Sequence, residues 1–195
     1  MISDKDRSYY IGASDTKYVI GNYDTKTFRH WWDVKMGFIA DTDYDSIYIM
    51  TGNLYEPKIL DWLECTERDR QIIIGRLRVN LDGETEDSVI EIKTFRYDGV
   101  WKPPKAYLHQ VQVEMFATDK GKGYLVGYGV DDDDYYAVIN GETLDLDERR
   151  IFIYPIERDD KWLDEVYLPR LWYLAECLEE ERLPCTEDLS AMKKC

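Results

Sequence analysis

Two β-branched runs follow each other in mid-chain, QIIIGRLRVNLDG (71–83) and DSVIEIKTF (87–95), parted only by a Gly/Glu/Asp turn. Runs of this kind read as strands, and their spacing reads as a hairpin. Two adjacent prolines in VWKPPK (100–105) then break regular structure. A helical pattern follows in AYLHQVQVEMFAT (106–118), with Leu108, Val111 and Met115 on one face. Further strands are expected at GYLVGYGV (123–130), YYAVI (135–139) and RIFIYPI (150–156), with DDDD (131–134) as a short acidic turn. Strands closed around a helix in this order require a sheet with a helix packed on it.

The flanks are helical. Ser14 before DTKYVI reads as an N-cap, with Asp15 in the first turn. Thr25 or Thr27 opens a second helix that ends near Gly37. A long helix covers Ser46 to Cys65, where Ile49, Met50, Leu54, Ile59, Trp62 and Leu63 recur at three- and four-residue spacings. From Asp159 to about Glu181 an apolar stripe of Trp162, Val166, Leu171, Leu174 and Leu178 marks a last helix, which Pro169 should kink or divide. The class is α/β or α+β, with no internal repeat and no linker, so a single domain over 1–195 is expected.

Six Trp, sixteen Tyr and five Phe argue against disorder. No apolar run approaches the length of a membrane span, and MISDKDRSYY is too polar for a signal peptide, so a soluble intracellular protein without membrane attachment is expected. The net charge of −15 disfavours nucleic acid only if it is evenly spread. Residues 131–195 hold 19 acids and 8 bases, leaving 40−19=21 acids and 25−8=17 bases before them. The excess therefore lies in the last third, and a basic groove elsewhere is compatible with the total. The cysteines at 65, 177, 185 and 195 form no CxxC pair and read as free thiols.

Chemistry concentrates at Asp82 and the Glu91-Ile92-Lys93 triplet. On a strand Glu91 and Lys93 project to one face while Ile90 and Ile92 take the other, as on a half-buried strand. Pairing of 71–82 with 88–95 would bring Asp82 to Glu91. Two carboxylates on neighbouring strands offer hard oxygen ligands to Mg²⁺ or Mn²⁺. Lys93 beside them would orient a water or neutralise charge on a phosphate, with burial and a nearby cation depressing its pKa. Taken alone, E-x-K at strand spacing also describes an ordinary surface ion pair.

D-(x8)-E-I-K in this hydrophobic frame resembles the PD-(D/E)xK nuclease signature, with Asp82, Glu91 and Lys93 at its named positions. Within that superfamily the chain resembles the phage lambda exonuclease branch, the YqaJ-like viral recombinases. Arg7 followed by Ile11-Gly12-Ala13-Ser14 is similar to the family's N-terminal Arg and T-A-S-type motif, which contacts the terminal 5′-phosphate, with Gly12 where Thr is usual. Thr51-Gly52-Asn53-Leu54-Tyr55-Glu56-Pro57 is similar to the G-x-x-x-E-P motif, whose Glu adds to the metal site; from the residues alone Glu56 is a helical carboxylate before a proline that should kink the helix. Tyr107-Leu108-His109-Gln110-Val111-Gln112 resembles the family's Y-x-x-Q-x-Q stretch, with Gln110 as the match beside the active-site Lys. Related nucleases carry a Tyr four residues later, where this chain has Glu114. LWYLAECLEEERLP (171–184) resembles the family's closing segment, which is architectural. Together these matches span Arg7 to Pro184.

The resemblance implies a restriction-endonuclease-like core, a central mixed sheet flanked by helices. It implies a Mg²⁺- (or Mn²⁺-) dependent 5′→3′ exonuclease that digests one strand of linear double-stranded DNA, leaving 3′ single strands for recombination by annealing. Asp82, Glu91 and the Ile92 carbonyl would hold the metal with Glu56 in support. Lys93 and Gln110 would position the attacking water, and Arg7 and Ser14 would seat the 5′-phosphate. A homo-oligomeric ring, often a trimer, a single-strand annealing partner and a host-cytoplasm setting for a phage or prophage protein belong to the same implication. Arg76, Arg78, Lys102 and Lys105 are candidate channel residues by their proximity to the motif. Two other readings compete: a Cas4/RecB-like nuclease, which poorly spaced cysteines disfavour, and a non-catalytic acidic DNA mimic, which the charge alone supports.

Overall fold

The computed structural model describes residues 9–40, 46–142 and 144–188. They gather into two compact units, one drawn from 9–40, 72–79 and 159–188 and the other from 46–71, 80–142 and 144–158.

The first unit is built around aromatic residues. A short strand β1 (Ile11–Gly12) leads through a 3₁₀ turn (Ala13–Asp15) into helix α1 (Thr16–Val19). Ser14 sits exposed inside that turn and caps nothing. Asp15 is in the first turn as expected, and its carboxylate also accepts from the Gly12 N–H at 2.8 Å and the Trp31 indole at 3.0 Å and pairs with Lys35 at 2.8 Å. Thr25 caps α2 (Lys26–Lys35) by accepting from the Phe28 N–H at 3.1 Å. Helix α2 buries Phe28, Trp31 and Trp32. Tyr23 stacks on Phe28 with centroids 4.5 Å apart and faces Tyr173 at 6.4 Å. Strands β3 (Gln71–Ile74) and β4 (Leu77–Asn80) close on each other through Gly75, and β4 runs parallel to β1. The C-terminal stretch is divided as Pro169 predicts. Helix α6 (Asp160–Trp162) passes through a π turn (Leu163–Tyr167) into α7 (Leu168–Glu179), with the proline in the first turn of α7 where no N–H is needed.

The second unit holds a five-stranded mixed sheet ordered β2-β5-β6-β7-β8. Its strands are β2 (Glu67–Arg68), β5 (Gly83–Glu84), β6 (Ser88–Arg96), β7 (Lys122–Val130) and β8 (Ile151–Glu157). Only the β6–β7 pair is parallel, joined by the crossover helix α4 (Lys105–Thr118). Ser46 caps α3 (Ile47–Trp62), which continues through Pro57. Tyr55, Ile59 and Leu60 of α3 pack with Ile90, Ile92, Val126 and Tyr128 on one sheet face. Helix α4 covers the other face, where a side chain at Gly123 would collide with Val111 and Met115. The mixed sheet flanked by helices matches the α+β expectation.

Three local readings are corrected. The 71–83 run does not pair as one strand with 87–95: it folds back at Gly75, and only Gly83 and Glu84 pair with β6, at Ile90 and Val89. Strand β6 is covered on both faces and its first five residues are buried, so it is central and not half-buried. YYAVI is not a strand. Asp131 accepts from the N–H groups of Asp133 and Asp134, and the three acids after it suit a helix N-terminus, so 132–139 forms α5 (Asp132–Ile139). Cys65, Cys177 and Cys185 are free thiols, and Cys195 lies outside the described residues. No helix among the described residues is long and apolar enough to cross a membrane.

Candidate active site

Because Ile90 and Ile92 are buried against α3, Glu91 and Lys93 face α4. The sheet brings Asp82 to them. The β5–β6 ladder stops at Gly83–Ile90, leaving the Ile92 N–H beyond its end, and Asp82 Oδ2 accepts that N–H at 2.7 Å. This short strand is tightly seated. A side chain at Gly83 would meet Cys65 Sγ and Leu60 at 2.8 Å. Glu84, also buried, pairs with Arg70 at 3.0 Å and Lys120 at 2.6 Å.

Glu91 is 1% exposed. Its Oε1 pairs with Lys93 Nζ at 2.5 Å and accepts from Gln110 Nε2 at 2.6 Å. Gln110 Nε2 also donates to Glu114 Oε1 at 2.9 Å. With the acids ionised, Oε2 of Glu91 and Oε2 of Glu114 are buried without a donor. Lys93 Nζ lies 5.3 Å from the centre of the Tyr107 ring, one turn before Gln110 on α4. Beside Lys93 in register is Gly127, whose missing side chain admits the buried Trp101 indole; a Cβ there would stand 2.1 Å from it.

Charge is unbalanced here. Burial pushes the Asp82 carboxyl well up from its ordinary value, and Glu91 and Glu56 push it further. Glu56 on α3 is raised by burial and then by Glu91 and Asp69. Glu114 is raised by burial and then by Glu91. Lys93 departs from its expectation. Burial acts to lower its pKa, but the carboxylates of Glu91 and Asp82 outweigh burial and hold the ammonium above its ordinary range.

Asp82, Glu91, Lys93, Gln110 and Glu56 therefore converge. Ser14 belongs to the first unit, and Arg7 lies outside the described residues. Arg76 and Arg78 are engaged within the first unit, Arg76 over the Tyr9 ring and Arg78 over Tyr10, whereas Lys102 and Lys105 are exposed ahead of Gln110. Glu114 entered the sequence reading only as a departure, although its place four residues after Gln110 puts both on one helix face. Among the described residues no three His, Cys, Asp or Glu side chains are arranged to hold a metal by themselves. The donors still suit a hard cation: two carboxylates, one buried oxygen with no donor, and the Ile92 peptide beside them as a source of a carbonyl ligand.

No protein-family model and no curated protein matches the chain. Solved structures do. An alkaline exonuclease, LHK-Exo from Laribacter hongkongensis, superimposes with a TM-score of 0.64 at 22% identity over 91% of both chains. A phage-related exonuclease from Haemophilus somnus 129PT gives 0.59 at 14% identity, over 90% of this chain and 95% of that one. The chain has the fold of these exonucleases. The structure of LHK-Exo in complex with dAMP matches equally well, at 0.64 and 21% identity. Within this fold Glu91 and Lys93 of the PD-(D/E)xK-like motif lie on β6, and Asp82 stands just before β5.

Proposed function

We propose that the chain is a divalent-metal-dependent deoxyribonuclease that digests one strand of linear duplex DNA from its 5′ end and leaves 3′ single strands for annealing. One observation carries the reading: four carboxyl groups, of Glu56, Asp82, Glu91 and Glu114, gather around Lys93 of β6 in an exonuclease fold, three of them raised in pKa and one ammonium among them. Asp82, Glu91 and the Ile92 carbonyl would hold Mg²⁺ or Mn²⁺, with Glu56 in support. Such an ion, when bound, lowers the pKa of a water and stabilises charge on a phosphoryl oxygen. Lys93 stays protonated near neutral pH and supplies a fixed positive charge next to Glu91, suited to a phosphate in the transition state and not to removing a proton. Lys102 and Lys105, exposed ahead of Gln110, would meet the DNA backbone. By the family resemblance, Arg7 and Ser14 seat the 5′-phosphate, the subunits form a trimeric ring around DNA, and the 3′ strand passes to an annealing protein in the cytoplasm.

The test is digestion of linear duplex bearing a 5′-phosphate at one end only, with Mg²⁺, beside closed circles and the Lys93→Ala protein. The expected result is loss of the strand that begins at the phosphorylated end, intact circles and an inactive Lys93→Ala. Nicked circles would place the protein in another nuclease branch, and absence of cleavage with either metal would favour a binding protein. Rates should fall as salt rises, because phosphate contacts release counterions.

A further inference from the structure

Gln110 has two amide N–H donors, and two carboxylate oxygens stand at its nitrogen: Glu91 Oε1 at 2.6 Å and Glu114 Oε1 at 2.9 Å. A flipped amide would set its oxygen against both acids, so the nitrogen is placed by chemistry. Both donors are then spent, and the carbonyl of Gln110 is turned away from the acids. Glu91 is in turn held at Oε1 by Gln110 and Lys93, which leaves Oε2 as its unpartnered oxygen. Glu114 is fully buried on α4. Its Oε1 accepts from Gln110, its carboxyl also lies within hydrogen-bonding reach of the Glu91 carboxyl, and among the described residues its Oε2 receives no N–H. Burying a carboxyl in this setting is unfavourable for folding, and the two polar groups it meets, the Gln110 amide and the Glu91 carboxyl, both belong to the site.

We propose that Glu114 is a positioning residue of the nuclease centre: it fixes the Gln110 amide so that Gln110 acts as a bracket on Glu91, keeping one Glu91 oxygen turned to the metal. The proposal deepens the nuclease reading and rests on it for the role of Glu91. It also specifies how Gln110 would meet the attacking water. With both N–H groups occupied it presents only a carbonyl acceptor, which suits a water and not a phosphate oxygen.

The test compares wild type with Glu114→Met, Glu114→Gln and Gln110→Met, reading Mn²⁺ binding to the purified chain by titration and Mg²⁺-dependent cleavage in parallel. Removing an outer partner of a metal ligand typically lowers metal affinity or activity about 10–100-fold, and Glu114→Met should do so in Mn²⁺ binding and kcat with KM for DNA unchanged. Glu114→Gln should be rescued, because its own carbonyl accepts the same bond. The Glu114→Met/Gln110→Met double variant should be no worse than Gln110→Met. If Glu114→Met does not fold, Glu114→Asp, which withdraws the acceptor by one methylene, should show the weakened Mn²⁺ binding. Wild-type affinity in the Met or Asp variant, or a Gln variant as weak as the Met one, overturns the proposal. A wild type that binds Mn²⁺ but cuts no DNA defeats the nuclease reading while the binding comparison still decides Glu114; one that neither binds nor cuts removes both.

Discussion

Tyr55 and Glu56 are consecutive residues of α3, yet they serve two polar clusters built on opposite terms. Tyr55 donates to Asp134 Oδ1 at 2.5 Å. The other oxygen of Asp134 accepts from the Asp131 N–H at 2.9 Å and from Arg150 at 2.7 Å, and Arg150 also reaches Asp131 at 2.8 Å. Both oxygens of that buried carboxylate are met, while Arg150 Nε has only the Asp147 carboxylate at 3.6 Å. Glu56 faces the other cluster, where Asp82, Glu91 and Glu114 share one lysine and two carboxylate oxygens lack donors. A buried carboxylate that only holds a fold has its oxygens met by donors, since each open acceptor weakens folding. The cluster left open is the one around Glu91 and Lys93 of β6, and its excess negative charge is what a divalent cation would neutralise.

The largest effects should separate the two clusters cleanly. Arg150→Met should destabilise the chain by about 3 kcal/mol, the low end for breaking a buried pair, because Asp134 keeps Tyr55 and a backbone N–H. Urea unfolding measures this, and the folded fraction should keep its metal requirement unchanged. Lys93→Met should do the reverse, lowering kcat about 100–1000-fold, as loss of a transition-state donor does, while the chain stays folded. An Arg150 variant with altered Mg²⁺ half-saturation, or a Lys93 variant with normal turnover, would merge the clusters into one.

A smaller effect sharpens the contrast. Asp82→Asn keeps an acceptor for the Ile92 N–H but removes a charge that burial, Glu91 and Glu56 all oppose. It should raise the melting midpoint of the metal-free protein by a few degrees, at about 2–4 °C per kcal/mol recovered. Mg²⁺ should raise the midpoint of wild type and leave that of the variant unmoved. A midpoint that falls on Asp82→Asn would mean the charge is already compensated.

What the sequence made legible follows the range of the interactions. The alternation that sends Glu91 and Lys93 to one face is local to a strand, and it holds. The approach of Asp82 to Glu91 also holds, although through a two-residue strand and a side-chain acceptor in place of a long hairpin. The helix at 132–139 was hidden because Tyr, Val and Ile favour strands locally, while the cap at Asp131 and the burial of Val138 in the core cluster under the sheet decide otherwise. Ser14 looks like a cap by residue type, yet Asp15 reaches back to Gly12 and takes the role. Lys93 was expected to lose its proton easily; the carboxylates that reverse this come from separate elements, so nothing near Lys93 in sequence announces their number. Glu114 was readable as a neighbour of Gln110 but not as a contributor to the site, because its meaning depends on Glu91 across the sheet.

The smallest effect, and the one that tests the comparison without removing any contact, is in pH. Asp82, Glu56 and Glu114 have raised values, so the folded chain holds those protons after the unfolded chain has lost them. The penalty is absent below the ordinary values of 3.8 for Asp and 4.5 for Glu and grows as pH rises through the raised ones, so metal-free stability should decline upward from about pH 4. Asp131 has the opposite sign. Burial acts against its charge, but the Asp134 N–H and Arg150 outweigh burial and hold it below its ordinary value. Its contribution is present above 3.8 and fades as pH falls through the lowered value. Urea midpoints without metal should therefore drop toward neutral pH in wild type and drop less in Glu56→Gln, whereas Asp131→Asn should soften only the acid-side loss. Saturating Mg²⁺ should flatten the neutral side, since the ion binds the deprotonated acids. A metal-free curve that is flat from pH 4 to 8 would mean the carboxyls at β6 are as well satisfied as those around Arg150, and the distinction between an open and a closed cluster would fall with it.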